Sequence, residues 1–252
     1  MTRGVVIFAI STPEIDYGAM ARWSAKRIKR HLGLPVTIVD TNDREPGQRW
    51  FGDIGDTVTW HNTNRADAYA LSPYDETLVL DADYIVNSDR LLSLFDTTQE
   101  FLAMGQAYDV TALSDENTMN TFGRNRMPMA WATVMMFRRG ALSQSIFDIM
   151  SMVRENWTHY RDLYNFERTA YRNDYALSIA LNMVHGHTGT WPSIPWSMAT
   201  VDPQHSLSQV DKDTWAVQFM GANQRCFRVT VREQDLHAMC KQQLGAIVAS
   251  QG

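Results

Sequence analysis

The chain has 252 residues, of which 44% are hydrophobic and 20% are charged, and its formal net charge is −5. This length suffices for one sizeable α/β domain, and the composition is that of an ordinary globular protein. The negative charge argues against a large, uniform nucleic-acid-binding surface, and no stretch approaches the roughly 20 apolar residues that a membrane span needs. Two cysteines, Cys226 and Cys240, are too few for a disulfide scaffold, so we expect a reduced, cytoplasmic protein.

The first third of the chain alternates strand and helix patterns. Residues 5–10 form a short apolar run rich in β-branched residues, typical of a buried strand. A helical pattern follows over residues 16–31 and ends at Gly33 and Pro35, two helix-terminating residues. The other elements predicted here are strands over 36–39, 57–60 and 77–80 and a helix over 64–71. Their order predicts a parallel sheet with helical crossovers.

The rest of the chain continues this α/β pattern without a recognisable linker. An aromatic, proline-containing loop with Trp191 and Trp196 interrupts it and offers rings for packing or for stacking on a ligand. The predicted elements are strands over 101–106, 132–137, 215–220 and 227–231, and helices over 142–156, 169–184 and 233–248. We therefore predict one α/β domain over residues 1–252, with a mostly parallel central sheet flanked by helices.

Two aspartates, Asp81 and Asp83, follow the apolar strand predicted at 77–80. In open α/β sheets ligands bind beyond the carboxyl ends of the strands. A carboxylate pair at that edge suits Mg²⁺ or Mn²⁺, which also bind substrate diphosphates. A second pair, Asp211 and Asp213, lies in a polar stretch and is interpreted as a surface turn. Only the first pair is therefore a predicted metal site.

The stretches NRADAY (64–69) and LSPYDETLVLDAD (71–83) carry a family resemblance. Together they resemble nucleotide-sugar glycosyltransferases of the GT-A fold, and most closely the glycogenin-like and bacterial galactosyltransferase-like group. In that group an arginine-containing helix, a strand and an Asp-x-Asp motif follow one another. The resemblance covers slightly more than the first half of the chain, and glycosyltransferase-like proteins of tailed bacteriophages are also similar.

The resemblance implies a single GT-A-like domain with a Rossmann-like, nucleotide-sugar-binding half (1–106) and an acceptor-binding half (107–252). It implies that Asp81 and Asp83 hold Mn²⁺ or Mg²⁺ on the diphosphate of a donor, with a UDP-sugar favoured. Arg65 would act near the donor sugar and phosphates. The other donor-binding positions that it implies are Ala9, Ile10, Ser11, Asp40 and Ala82.

Asp174 opens the helix predicted over 169–184, where the helix dipole and free N–H groups favour an acid. A plain N-terminal cap is one interpretation. The resemblance implies a second one, in which Asp174 points into the site. It would then be the general base of an inverting enzyme, or it would position the donor sugar in a retaining one.

The family commonly adds a late histidine as third metal ligand, followed by a glycine and a lysine that meets the diphosphate. We expect this position in residues 217–223, which contain no histidine. Either Gln218 is a substitute ligand or the ligand comes from elsewhere in the chain, and Arg225 or Arg228 would replace the lysine. Nearby histidines that could serve instead are His185, His187 and His205.

The acceptor is the least determined part of the prediction. Two basic regions could contact phosphates, and the phage-like resemblance implies 5-hydroxymethylcytosine in double-stranded DNA as one acceptor, in the host cytoplasm. The alternatives are a hydroxyl of a protein or glycan, a sugar-nucleotide-binding protein without catalysis, and a nucleotidyltransferase. The basic residues are Arg22, Lys26, Lys29 and Arg30 in the first helix and Arg124, Arg126, Arg138 and Arg139 further on.

Overall fold

A computed structural model of the protein describes residues 1–40, 64–112, 121–166, 170–221 and 223–251. The strands are β1 (Arg3–Phe8), β2 (Val36–Val39), β3 (Glu76–Asp81), β4 (Tyr84–Ile85), β5 (Phe101–Met104), β6 (Ala107–Asp109), β7 (Thr121–Phe122), β8 (Met127–Pro128), β9 (Trp131–Arg138), β10 (Met198–Val201), β11 (Ser206–Gln209), β12 (Thr214–Met220), β13 (Cys226–Arg232) and β14 (Leu236–Ala238). The α-helices are α1 (Tyr17–Leu32), α2 (Ala68–Leu71), α3 (Ala141–Glu155), α4 (Trp157–Leu163), α5 (Asn173–Val184) and α6 (Lys241–Ala249), and 3₁₀ helices span Asn64–Asp67 and Arg90–Asp96.

The central sheet has the strand order β2-β1-β3-β9-β5. Strand β1 pairs in parallel with β2 and β3, whereas β9 runs antiparallel to both of its neighbours, β3 and β5. Only β9 is therefore reversed among these five strands. The predicted α/β fold with a mostly parallel central sheet is confirmed.

Helices cover both faces of this sheet. Alternate residues of β1 pack into two separate hydrophobic clusters, one on each face. Val5 and Ile7 pack with Ile28 of α1 in one hydrophobic cluster. Val6 packs with Ile179 of α5 in the other. Burial on both sides explains why the strand is an uninterrupted apolar run, as parallel strands usually are.

Helix α1 begins and ends close to the predicted residues because its caps are local. The Asp16 carboxylate accepts a hydrogen bond from the amide of Ala19 at 2.8 Å. Gly33 adopts φ of 66°, and its N–H donates to the carbonyl of Lys29. A left-handed residue at the helix end strongly favours glycine.

A second sheet, with the order β4-β14-β10-β6, lies beyond the central one, and a three-stranded antiparallel sheet contains β11, β12 and β13. The helix predicted over 233–248 is therefore wrong in its first part. Residues 236–238 form strand β14 between β4 and β10, and α6 begins only at Lys241. Pairing with two strands that are distant in the chain overrides the helical pattern there.

The other predicted elements agree with the structure except at their ends. The helix predicted over 64–71 is a 3₁₀ turn followed by a short α-helix, and the helix predicted from 169 begins at Asn173. The strand predicted over 57–60 lies outside the described residues. Across the described ranges, none of the helices combines the length and the apolar character that crossing a lipid bilayer requires.

Candidate functional site

A cavity of about 460 Å³ lies at the carboxyl-terminal edge of the central sheet, beside the end of β3. Its size is in the range typical of small-molecule sites. It is lined by side chains from both the first and the second half of the chain. They include Phe8, Thr12, Tyr17, Arg65, Asp81, Asp83, Trp131, Tyr171, Asp174, Pro203, His237 and Lys241.

Three potential metal ligands, Asp81, Asp83 and His237, converge in this cavity. Each offers a ligand atom within 4.8 Å of the other two. The Nε2 atom of His237 lies 3.6 Å from Asp83 Oδ1 and 3.8 Å from Asp81 Oδ2. These distances exceed those of ordinary hydrogen bonds, so the three groups are neighbours rather than hydrogen-bonded partners.

The backbone places His237 beside the aspartates. His237 is paired with Tyr84 in the antiparallel register of β14 and β4. The N–H of Ala238 donates to the carbonyl oxygen of Asp83 at 3.0 Å. The histidine therefore enters the site on a strand that hydrogen-bonds directly to the Asp-x-Asp turn.

The donor set fits a divalent cation. Asp83 is 2% exposed, and its Oδ2 atom accepts no hydrogen bond within the described structure. Two carboxylates and one imidazole form a ligand set suited to Mn²⁺ or a similar divalent ion. Such a cation would be held by the Nε2 atom of His237, the ring nitrogen that faces the aspartates, and by the carboxylates of Asp81 and Asp83.

Lys241, the first residue of α6, completes the charge balance around Asp83. Its Nζ atom lies 3.3 Å from Asp83 Oδ2. Burial raises the pKa of Asp83, but the charges of Lys241 and His237 outweigh it, so the pKa lies below its usual value. Asp83 in turn raises the pKa of Lys241. Both groups are therefore charged at neutral pH.

Arg65 also lies beside this pair of aspartates. It forms an ion pair with Asp81, and its Nε donates to the carbonyl of Ala132 at 3.2 Å. Burial lowers the pKa of Arg65, while the nearby carboxylates of Asp174 and Asp83 raise it. Its Nη1 atom is buried without a hydrogen bond among the described residues. A buried guanidinium with an unused donor is suited to bind an anionic ligand.

Asp174 lines the cavity but is not the N-cap of α5, a position that Arg172 occupies. Its Oδ1 accepts from the amide of Ala132 at 2.9 Å, and its Oδ2 accepts from Arg172 at 2.8 Å. The backbone of Ala132 thus forms hydrogen bonds with both side chains: its N–H donates to Asp174, and its carbonyl oxygen accepts from Arg65. Asp174 thereby connects the start of α5 to β9 beside Arg65.

The other predicted donor-binding residues lie close to this edge without all entering the cavity. Ala82 lines it, whereas Ala9, Ile10, Ser11 and Asp40 are not among the described residues of its lining. Ser11 instead accepts a hydrogen bond from the amide of Gly18 at 3.1 Å and donates to Asp16. These four residues follow the ends of β1 and β2, and their contact with a donor stays a prediction.

The predicted location of the late histidine is wrong. Residues 217–223 belong largely to β12, and Gln218 is exposed there. His205 lies 3.9 Å from Asp109 instead of in the Asp81–Asp83 cluster. Neither His185 nor His187 is part of that cluster either. Among the described residues, His237 is instead the histidine that lies beside the two aspartates.

The sequence segment that contains this histidine, residues 237–241, is short and was assigned to a predicted helix. Lys241 follows His237 by four residues, and no glycine lies between them. Lys241, not Arg225 or Arg228, is the basic residue of the cavity that accompanies His237. Because residues 233–248 were predicted to form a helix, His237 and Lys241 were not recognised as residues of the site.

No protein-family model matches the sequence, and no curated protein matches it with statistical significance. Solved structures with a similar fold include the glycosyltransferase GlyE of Streptococcus pneumoniae TIGR4, at 17% identity and a TM-score of 0.43 over 77% of this chain and 46% of GlyE. The chain thus spans less than half the length of GlyE.

Galactosyltransferase LgtC, solved with donor and acceptor sugar analogs, is 14% identical, with a TM-score of 0.43 over 69% of each chain. A putative glucose-1-phosphate thymidylyltransferase from Bacillus anthracis is 10% identical, with a TM-score of 0.40 over 77% of this chain and 88% of that one. The likeness to all of these structures is distant.

Proposed function

We propose that this protein is a metal-dependent glycosyltransferase that moves a sugar from a nucleotide-diphosphate donor to a hydroxyl acceptor. The observation that carries the proposal is the meeting of Asp81, Asp83 and His237 with two cationic side chains, Arg65 and Lys241, in one cavity. Three ligands for a divalent cation and two flanking positive charges form a site for a diphosphate.

The ligands Asp81, Asp83 and His237 would hold Mn²⁺ or Mg²⁺. When bound, such an ion neutralises charge that develops on the departing diphosphate. Lys241 and Arg65 flank the aspartates and bring positive charge to the same cavity. Their ion pairs with Asp83 and Asp81 prearrange them, so little reorganisation is needed when the donor binds.

The nucleotide of the donor is proposed to lie against the end of β1. Phe8, Thr12 and Tyr17 line that side of the cavity and offer ring faces and a hydroxyl for a base and a ribose. A UDP-sugar is the favoured donor because of the family resemblance of residues 64–83.

Asp174 is proposed to position the donor sugar. Both of its carboxylate oxygens are engaged, one by the Ala132 amide and one by Arg172. This arrangement fixes the side chain at the cavity wall beside Arg65, as positioning residues require.

A nucleotidyltransferase is the competing enzyme class, and a distant structural neighbour carries that description. Such an enzyme would use a glycine-rich loop with Lys or Arg directly after the first strand. Residues 9–16 read AISTPEID and contain neither a glycine nor a basic residue. This observation favours sugar transfer.

The acceptor remains a hypothesis with two alternatives. A hydroxymethylated pyrimidine of phage DNA is one, and a hydroxyl of a protein or glycan is the other. Three arginines predicted to contact DNA have partners within the protein: Arg30 pairs with Asp213, Arg138 with Glu76, and Arg139 with backbone carbonyls. Because these three arginines already have partners within the protein, they are less suited to bind DNA phosphates than the sequence indicated.

Donor turnover tests the proposal directly. Purified protein would be incubated with UDP-, GDP- and ADP-sugars and Mn²⁺ or Mg²⁺, with and without DNA containing 5-hydroxymethylcytosine, and the products identified by mass spectrometry. We expect metal-dependent release of a nucleoside diphosphate. A sugar-sized mass gain on the DNA would identify the acceptor, and turnover without it would direct the search to protein and glycan hydroxyls. If no donor is turned over while nucleotide binding persists, the protein is a binding protein and the proposal is wrong.

A further inference from the structure

Arg154 lies in the last turn of α3 and is completely buried. Its Nη1 and Nη2 atoms donate to Oδ2 and Oδ1 of Asp67, both at 3.0 Å, so the guanidinium and the carboxylate form a two-pronged ion pair. Nη2 also donates to the Ser151 hydroxyl at 2.9 Å. A two-pronged pair fixes the relative orientation of its two groups as well as their distance.

Asp67 directs its carboxylate to Arg154 although it stands at the start of a helix. It is the N-cap residue of α2, but its side chain forms no capping hydrogen bond. An aspartate at this position ordinarily accepts a hydrogen bond from a backbone N–H two or three residues further on. The contact with α3 therefore takes the place of a local interaction that would stabilise α2.

Stability by itself does not account for a charged pair at this contact. The loss of hydration of a buried guanidinium often offsets the attraction between the two charges. Apolar packing is already present here, because Met150 and Val153 of α3 belong to the same hydrophobic cluster as Ala66 and Ala68. Apolar packing has no preferred direction, whereas the two-pronged pair does. The ion pair thus adds orientation to a contact that apolar side chains already form.

The 3₁₀ helix that this pair attaches to α3 also carries Arg65. Arg65 and Asp67 are two residues apart in the helix Asn64–Asp67. Arg65 lines the cavity, pairs with Asp81, and donates through Nε to the carbonyl of Ala132 at 3.2 Å. A single short 3₁₀ turn is a tightly hydrogen-bonded unit. Attachment of Asp67 to α3 therefore also fixes the backbone from which Arg65 extends.

Tyr171 lies close to both ion pairs. It is 1% exposed and lines the cavity, and its ring packs edge-on against Trp157 with the ring centroids 5.7 Å apart. Burial raises the pKa of Tyr171, and the charges of Arg154 and Asp67 act on this pKa as well. So does the charge of Arg65. One cavity-lining side chain is thus influenced by the buried pair and by the arginine of the site.

We propose that Arg154 and Asp67 are positioning residues for Arg65. Their ion pair holds the 3₁₀ helix in the orientation from which Arg65 reaches Asp81 and a donor diphosphate. Arg154 is not part of the cavity lining, so it acts on the site only through Asp67. The effect of the pair on turnover rests on the proposed function, whereas its effect on the position of Arg65 does not.

Two variants remove the two-pronged geometry in different ways. Asp67→Asn/Arg154→Met removes both charges, which buried pairs often tolerate, and asparagine is a good N-cap residue, so we expect this variant to fold. Arg154→Lys keeps the charge but cannot form the two-pronged contact. The control is Arg3→Met/Glu76→Gln, which removes an ion pair of 2.6 Å at the opposite end of β3 from Asp81. Thermal unfolding would verify that each variant is folded.

The first measurement requires no turnover. The Nε–H signal of Arg65 in a proton–nitrogen NMR spectrum, identified by its absence from Arg65→Gln, reports the hydrogen bond to Ala132. We expect its hydrogen exchange to become about 10- to 100-fold faster in both variants, as loss of one hydrogen bond to a charged group predicts. Exchange in the control should equal that in wild type. Wild-type exchange in the folded double variant would overturn the proposal, as would equally fast exchange in the control.

The second measurement is a mutant cycle on donor turnover. A misplaced group costs up to about 100-fold in rate, so Asp67→Asn/Arg154→Met should lower kcat about 10- to 100-fold. In an Arg65→Gln background the same two substitutions should lower kcat no further, because coupled residues are not additive. An equal loss in both backgrounds would show a general structural effect and overturn the proposal. If wild type turns over no donor, the proposed function fails, and the exchange of the Arg65 Nε–H decides the inference alone.

Discussion

His237 Nε2 lies 3.6 Å from Asp83 Oδ1, although the two residues belong to opposite halves of the chain. The amide of Ala238 donates to the Asp83 carbonyl in the same region. Strand β14 therefore brings an imidazole to the Asp-x-Asp turn through backbone pairing as well as through side-chain proximity. The candidate metal site depends on this tertiary contact.

The first prediction concerns metal binding. Even an outer-shell partner of a metal ligand is worth about 10- to 100-fold in affinity, so we expect Asp83→Asn or His237→Ala to weaken Mn²⁺ binding at least about 100-fold. Isothermal titration calorimetry with Mn²⁺ measures this without turnover. Asp211→Asn, at the exposed position of the second Asp-x-Asp pair, is the control and should bind as wild type does. Wild-type affinity in Asp83→Asn would show that the cluster is not a metal site.

The second prediction separates Lys241 from the metal ligands. Lys241 lies 3.3 Å from Asp83 Oδ2, where it competes with a cation for that oxygen. A hydrogen bond to a charged group contributes about 1.5–3 kcal/mol, so Lys241→Gln should raise the KM for the donor about 10- to 100-fold.

The affinity of Lys241→Gln for Mn²⁺ should be unchanged or higher, since the competing charge is gone. Steady-state kinetics and Mn²⁺ titration would be run beside Lys212→Gln, an exposed lysine outside the cavity. A large loss of Mn²⁺ affinity in Lys241→Gln would contradict the assignment of Lys241 to the diphosphate.

The third prediction concerns Asp174, whose two oxygens are bonded to Ala132 and Arg172. The Asp174→Asn variant retains an oxygen that can accept the hydrogen bond from the Ala132 amide, but it lacks the ion pair with Arg172. A misplaced group costs up to about 100-fold in rate, so we expect kcat to fall between about 10- and 100-fold with Mn²⁺ affinity unchanged. The pH–rate profile should keep its acidic limb. Disappearance of that limb in the variant would show that Asp174 is a general base instead.

The fourth prediction concerns Asp235, which precedes β14 and supports its position. Its Oδ1 accepts from the amides of Asn87 and Ser88 at 2.7 Å and 2.9 Å and from the Ser88 hydroxyl at 3.1 Å. Asp235→Ala leaves these donors without their acceptor, which costs about 1–3 kcal/mol for each buried group.

Urea denaturation should therefore show a marked loss of stability in Asp235→Ala and a smaller loss in Asp235→Asn, which retains an acceptor oxygen. Where the variants remain folded, Mn²⁺ affinity should fall in the same order, because β14 carries His237. An alanine variant as stable as wild type would show that these bonds do not hold β14.

The fifth prediction is a pH dependence of stability caused by His31. Burial, together with the charges of Arg30 and Arg27, lowers the pKa of His31 to about 4. The Asp213 carboxylate, 3.0 Å from His31 Nε2, acts in the opposite direction, but it also pairs with Arg27 and Arg30. In the unfolded chain the pKa is about 6.5, so the unfolded state binds more protons between these values. The stabilising contribution is present above about pH 6.5 and is lost as the pH falls towards 4.

Urea unfolding at several pH values between 7 and 4 would test this. Carboxylates also titrate in the lower part of this range, so the measurement is the difference between wild type and His31→Gln. The stability of His31→Gln should decline less than that of wild type as the pH falls. Parallel curves for the two proteins would exclude His31 as the cause.

The sequence by itself determined the elements whose signals are local. The apolar run before Asp81, and the Asp16 and Gly33 caps of α1, each lie within a few residues, so strand β3, its terminal aspartates and helix α1 were predicted close to their observed positions. The α/β fold with a mostly parallel sheet followed from the order of such elements.

Only the tertiary structure decided the second half of the candidate site. Strand β14 has three residues, too few for a period-two pattern. It forms because β4 and β10 pair with it on both sides, and neither partner is adjacent in the chain. The residues around it fit a helical pattern equally well, so the sequence concealed His237 and Lys241. Long-range pairing placed both beside Asp83, in the candidate metal site.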